Sequence, residues 1–130
     1  MIRAYRESDI DAIKRIHRAS GLPETCFPPL QSANCIVKVV AEDSQGITQA
    51  GFVKLTGEAF VLVDHTRRSS QERWETLQRL VARGLKDSAD YGIDDVSAWI
   101  PPEIEPSFGK RLEALGWIRS PWRNYTALLR

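Results

Sequence analysis

Cysteine is scarce in this chain. Only Cys26 and Cys35 occur in 130 residues, and two cysteines do not make a disulfide framework. A free-thiol, cytoplasmic protein is the expectation. Charge of one sign is also lacking. Eighteen Lys and Arg face 17 Asp and Glu, a net charge of +1. General nucleic-acid binding needs a basic surface, so no nucleic-acid partner is expected, although local arginine clusters remain able to hold a small anion. No apolar run approaches the length of a membrane span, so no membrane partner is expected either. The opening Met1-Ile2-Arg3-Ala4-Tyr5-Arg6 has no signal-peptide pattern. No internal repeat, low-complexity tract or linker interrupts the chain, and it reads as one domain over 1–130, long enough for a real core.

The rest of the chain is organised around one stretch. Glu58-Ala59-Phe60-Val61-Leu62-Val63-Asp64 leads into His65-Thr66-Arg67-Arg68-Ser69-Ser70 and then into a long amphipathic run from Gln71. Five successive apolar residues, Ala59 to Val63, predict a central strand buried on both faces. The basic loop after it opens a helix. N–H groups at a helix start are unpaired and lie at the positive end of the macrodipole, so with Arg67, Arg68 and Arg73 beside them they suit a phosphate. The same residues also read as a capping box. Ser69 at the N-cap and Glu72 at the third helical position satisfy each other's N–H groups without any ligand. Both readings stand at this point.

Ahead of this stretch, Ile2 to Tyr5 reads as a short strand. Ile10, Ile13 and Ile16 give helical spacing after Ser8, the expected N-cap. His17 falls near the apolar side and reads as a structural histidine. Gly21 to Asn34, broken by Pro23, Pro28 and Pro29, is irregular; it is either a covering loop or a lid over a substrate. Cys35 to Ala41 is a strand with Cys35, Val37 and Val39 on one face and Ile36 and Val40 on the other. Cys35 reads as a core thiol. Gln49 to Leu55 and Ala59 to Val63 complete a three-stranded antiparallel meander.

After the loop, Trp74, Leu77, Leu80, Val81 and Leu85 form one apolar stripe along a helix that Gly92 ends. Asp95 to Ile100 is a strand stopped by Pro101-Pro102. Its order after the helix implies a parallel strand pair with a crossover helix. Pro106-Ser107 opens a further helix with Phe108, Leu112 and Leu115 inward and Gly116 at its end. Trp117 to Arg119 and Trp122 to Leu129 are closing strands split by Pro121.

The opening Ile2-Arg3-Ala4 with Glu7-Ser8-Asp9-Ile10-Asp11-Ala12-Ile13, and the late Glu113-Ala114-Leu115-Gly116-Trp117, carry a resemblance. With the order of elements, they resemble the GNAT N-acetyltransferase superfamily over nearly the whole chain. The resemblance implies an α/β fold (an α+β mixed sheet), with an antiparallel meander followed by a parallel strand pair and crossover helix. It implies acetyl coenzyme A as cofactor and a small-molecule or peptide amine as acceptor, and it leaves a homodimer open. The backbone of Leu62 and Val63 would hold the pantetheine arm. Arg68, with backbone groups of Ser69, Ser70, Gln71 and Arg73, would hold the pyrophosphate. Asp64 or His65 would serve as base. Gln71 and Arg73 stand where the family has glycines, whose missing side chain lets the backbone approach the phosphates. Leu112 stands at the position of the family's usual tyrosine acid, so Tyr125, or else Tyr5, is the substitute. Glu103 and Glu105 could attract a cationic amine. A catalytically inactive GNAT-fold binding module is the competing reading, and it would need exposed faces among the four tryptophans.

Overall fold

The computed structural model describes residues 1–129, which divide into a unit of Met1–Ser97 and a second that begins at Ala98. The first unit is built on a three-stranded antiparallel sheet in the order β1 (Ile2–Ala4), β2 (Cys35–Asp43), β3 (Gly46–Lys54). The polar turn at Ser44 and Gln45 joins the two long strands, and Asp43 Oδ1 accepts from Gln45 N at 2.8 Å. The meander is therefore β1-β2-β3. In the expected arrangement, Ala59 to Val63 was the third strand.

Helix α1 (Ile10–Ser20) packs Ile13 into the core with Leu30, Cys35 and Val40, and Tyr5, Ile10, Phe27, Ile47 and Phe52 close around them. Val40 is the most deeply buried of these, 1% exposed. Cys35 is a buried free thiol, as expected, but on the other face of β2. Register runs from Cys35 opposite Lys54 directly to Val37 opposite Val53, so Ile36 is an extra residue. This bulge flips the alternation. Cys35 joins Val40 inside, and Ile36 is left 56% exposed.

The start of α1 also differs from expectation. Ser8 is not its N-cap; it lies inside a 3-10 turn, Glu7–Asp9, that precedes the helix. The cause is Asp9, buried, whose carboxylate turns back to accept from Arg6 N at 2.7 Å and from the Arg3 guanidinium at 2.9 and 3.0 Å. At the other end Gly21 takes the left-handed conformation, φ 71°, and its N–H reaches Arg18 O. A side chain there would meet open space, so the penalty of substitution is conformational alone. Gly21→Ala is expected to cost about 1 kcal/mol, read as the shift of the urea midpoint at unchanged m-value.

The strand expected over Ala59 to Val63 shrinks to β4 (Gly57–Ala59), which pairs with β5 (Val96–Ala98) in a separate two-stranded parallel sheet. Gly57 N donates to Asp95 O at 3.0 Å. The expected strand to Ile100 stops at Ala98, ahead of Pro101-Pro102, and β4 has no partner beyond it. Phe60 and Leu62 are consequently 81% and 100% exposed. The start of β5 is tied to the sheet by polar contacts. Lys54 forms ion pairs with Asp94 and Asp95. Ser32 Oγ donates to Asp94 Oδ2 at 2.7 Å, and Asn34 Nδ2 to Gly92 O at 2.9 Å. Lys54 and Ser32 hold the Asp94 carboxyl below its ordinary pKa.

Helix α2 (Ser70–Asp90) is the longest element, 21 residues. Leu77 is buried on its apolar stripe, and Arg83–Asp87 and Lys86–Asp90 pair one turn apart at 2.8 and 3.0 Å on its open side. Such pairs add a few tenths of a kcal/mol each. Gly92 follows in the left-handed region, φ 87°.

The second unit holds α3 (Glu105–Ala114), with Pro106 in its first turn and Gly116, φ 91°, beyond its end. Phe108 and Leu112 of the helix and Leu115 at its C-cap are half-buried. Residues 117–129 form no strand. Pro121 splits the segment, and extended backbone without a hydrogen-bonded ladder is not a sheet element.

Candidate functional site

The loop between β4 and α2 gathers most of the residues singled out in the sequence. Asp64, His65, Arg67, Arg68, Ser69, Ser70 and Gln71 are all exposed along it. Its shape is set by four local devices. Asp64 Oδ1 accepts from Thr66 N at 2.9 Å and Thr66 Oγ1 at 2.6 Å, closing a turn. These bonds, with smaller help from His65 and Arg73, hold the Asp64 carboxyl below the usual carboxylate pKa. Arg68 has φ 66° and is the one non-glycine residue with positive φ among those described. That conformation costs an ordinary side chain on the order of 1–2 kcal/mol.

Arg73 helps hold the strained turn. Its Nη1 donates to Arg68 O at 2.8 Å and, at the 3.5 Å limit, to the carbonyls of His65 and Arg67. Its Nη2 reaches Ser70 Oγ at 3.3 Å. The guanidinium is therefore spent on carbonyl oxygens of its own loop. The fourth device is the capping box. Ser69 Oγ accepts from Glu72 N at 3.1 Å, and Ser69 N donates to Glu72 Oε2 at 2.9 Å. The Ser69 bonds lower the Glu72 carboxyl, which stays anionic at the helix start.

What remains for a ligand can be counted. Ser69 N and Glu72 N are taken, whereas Ser70 N and Gln71 N have no hydrogen bond among the described residues. Arg67 and Arg68 form no ion pair among the described residues. Two N–H groups and two guanidinium groups at the positive end of a 21-residue helix fit one phosphate group. The Glu72 carboxylate opposes it. The turn thus has the groups for one phosphate, with the Glu72 carboxylate seated on Ser69 N beside them.

The other sequence-derived candidates are placed outside this turn. Leu62 and Val63 lie in the first part of the same β4–α2 connection, in no ladder, 100% and 36% exposed. Tyr125 belongs to the second unit and is 93% exposed. Tyr5 packs in the core, its ring edge-on to Phe52 at 6.2 Å. Its hydroxyl is buried with no hydrogen-bond partner among the described residues, and burial, with Glu7 and Asp9 nearby, raises its pKa. Glu105 accepts from Arg119 Nε at 2.9 Å.

One grouping was not read from the sequence. Lys14, His17 and Arg18 of α1, with Glu24 and Phe27 of the following loop, line a cavity of about 130 Å³. The signal that could have found it is the i, i+3, i+4 spacing of three basic side chains on one helix face. Among the described residues no group of three or more His, Cys, Asp or Glu is arranged to hold a metal ion, and no helix is long and apolar enough to cross a membrane.

What the geometry establishes is a small mixed α/β protein with antiparallel and parallel sheet elements. Comparison with protein-family models, with curated proteins and with solved structures gives no match.

Proposed function

We propose that this chain is a GNAT-like, acetyl-coenzyme-A-dependent N-acetyltransferase acting on a small amine or a peptide amine. The observation that carries this reading is the strained turn at Arg68, clamped by Arg73 directly ahead of a long helix with two free N–H groups. Backbone strain held in place by surrounding bonds clusters at ligand clamps and active sites. Arg67 and Arg68, with Ser70 N and Gln71 N, would hold the phosphates. Bound there, acetyl coenzyme A would supply the acyl thioester that an amine attacks.

The acceptor amine must lose a proton for this chemistry. His65 carries the ring to take it, and neither ring nitrogen has a hydrogen bond among the described residues. Asp64 is held anionic and turned into the loop by Thr66, so it orients the turn and its charge favours a cation beside it.

The test is calorimetric titration with acetyl coenzyme A of the wild type, Arg68→Ala and Glu72→Gln. Binding near micromolar, about −8 kcal/mol, is expected, weakened about tenfold or more by Arg68→Ala and tightened by Glu72→Gln. The tightening follows from removing the negative charge that opposes a phosphate at the helix start, since the glutamine amide oxygen still accepts from Ser69 N. Absence of heat at millimolar ligand for both the wild type and Glu72→Gln would overturn the proposal.

A second reading rests on the capping box. Its reciprocal bonds account for both serine and glutamate without a ligand, as a non-catalytic GNAT-fold binding module requires. Trp99 and Trp122, 56% and 62% exposed, offer the apolar faces such a module would use.

A further inference from the structure

The cavity at the end of α1 is separate from the loop described above, and its chemistry is specific. Lys14, His17 and Arg18 present three nitrogen-bearing side chains from one helix face, and Glu24 and Phe27 close the other side. His17 is 9% exposed, with its ring edge-on to Phe27 at 5.3 Å. Its Nε2 lies 3.1 Å from Pro23 O. A carbonyl oxygen only accepts, so Nε2 carries the hydrogen and neutral His17 keeps its lone pair on Nδ1. The ring is thereby fixed as a wall of the cavity.

The ionic groups around that wall are unspent. Lys14, Arg18 and Glu24 are exposed and take part in no ion pair or side-chain hydrogen bond among the described residues. Elsewhere in the first unit several charges are matched: Arg3 with Asp9 and Glu42, Lys54 with Asp94 and Asp95, Arg83 with Asp87. Two cations and one anion stand around a volume that holds about four water molecules at ~30 Å³ each. A lone anion would meet Glu24, and a lone cation would meet Lys14 and Arg18. A molecule carrying both charges a few ångströms apart satisfies both sides, and the backbone head group of a free amino acid is of that size.

We propose that this cavity binds the zwitterionic head group of a small α-amino acid. Its carboxylate faces Lys14 and Arg18, and its ammonium faces Glu24. Phe27 supplies an apolar wall for a short side chain. This site is independent of acetyl coenzyme A and stands or falls without it.

The probes are glycine and alanine (both charges), acetate (anion only) and methylammonium (cation only), titrated into the full chain. Binding is followed by calorimetry and by NMR shifts of the His17 and Phe27 rings. Glycine and alanine are expected to bind at roughly 1–10 mM, with acetate and methylammonium about tenfold weaker. Lys14→Ala/Arg18→Ala should abolish the ring shifts, and Glu24→Gln should bring the amino acids down to the affinity of acetate. All three substituted residues are exposed, so thermal melts should show the variants folded. Ring shifts that stay absent at about 100 mM glycine in low-salt buffer, roughly tenfold above the weakest expected affinity, would overturn the site. Acetate binding as tightly as glycine, or amino-acid binding that survives the double substitution, would overturn the zwitterion assignment.

Discussion

Replacing Ile13 with alanine is expected to destabilise the first unit by roughly 2–5 kcal/mol, the usual cost of removing a large aliphatic side chain from a packed core. Ile13 is 4% exposed and is the contribution of α1 to the cluster with Leu30, Cys35 and Val40. Its three outer carbons leave a void bounded by the sheet on one side and the irregular segment on the other. Neither can collapse freely. β2 is held on both edges by β1 and β3, and Leu30 sits in a segment anchored by Lys38 Nζ, which donates to Leu30 O at 2.8 Å. Urea unfolding followed by far-ultraviolet circular dichroism measures the effect. Ile13→Val should cost only about 1 kcal/mol. A loss below that value for the alanine variant would mean that this cluster is not the core of the unit.

Replacing Arg3 with methionine is expected to lower Tm by roughly 10 °C or more. Arg3 forks between two carboxylates. Nη1 and Nη2 donate to Asp9 at 2.9 and 3.0 Å, and Nε and Nη2 donate to Glu42 at 2.8 and 2.9 Å. Asp9 is buried at the foot of α1 and Glu42 lies on β2, so one guanidinium ties strand β1, the helix start and the central strand together. Methionine keeps the stem and leaves two facing carboxylates with no cation between them. Removing one partner of such a network costs more than the network's own net worth. Arg3→Met/Asp9→Asn/Glu42→Gln should therefore recover a large part of the loss.

The same cluster sets an acid limb. Hydrogen bonds from Arg3 and from Arg6 N bring the Asp9 carboxyl down to about 2, and Arg3 also lowers Glu42. A carboxyl whose pKa is lower folded than unfolded, where Asp sits near ~3.9, stabilises the fold above the unfolded value. That contribution fades as pH falls from about 4 towards 2. The wild type should lose Tm steadily across this window, and Arg3→Met should show a flatter profile there. Parallel profiles for the two proteins would contradict the assignment.

Part of this was legible in the residues themselves. The isoleucine spacing of α1, the stripe of α2, the glycines at 21, 92 and 116, and the Ser69–Glu72 cap are local signals, each set by chain neighbours within a turn or two. The structure places them where the pattern does, except that Leu80 and Leu85 of the α2 stripe are 56% and 40% exposed and Leu77 alone of the five is buried. His17 was likewise read as structural, but its partner, Pro23 O, comes from the returning loop. The strand from Ala59 to Val63 and the closing strands after Trp117 were read from apolar runs, which report a wish for burial without naming a partner.

The sequence by itself determined the helices, the glycines that end them, the β2–β3 hairpin and the clustering of Asp64 to Arg73 around the start of α2, because these depend on backbone propensity and side chains close along the chain. Only the tertiary structure decided which strands pair, that the bulge at Ile36 sends Cys35 inward, that Arg3 joins Asp9 to Glu42, and that Arg73 is spent on its own loop. Those outcomes turn on hydrogen-bond partners and charges brought together from distant positions or by an unusual backbone angle, and no periodicity along the chain records them.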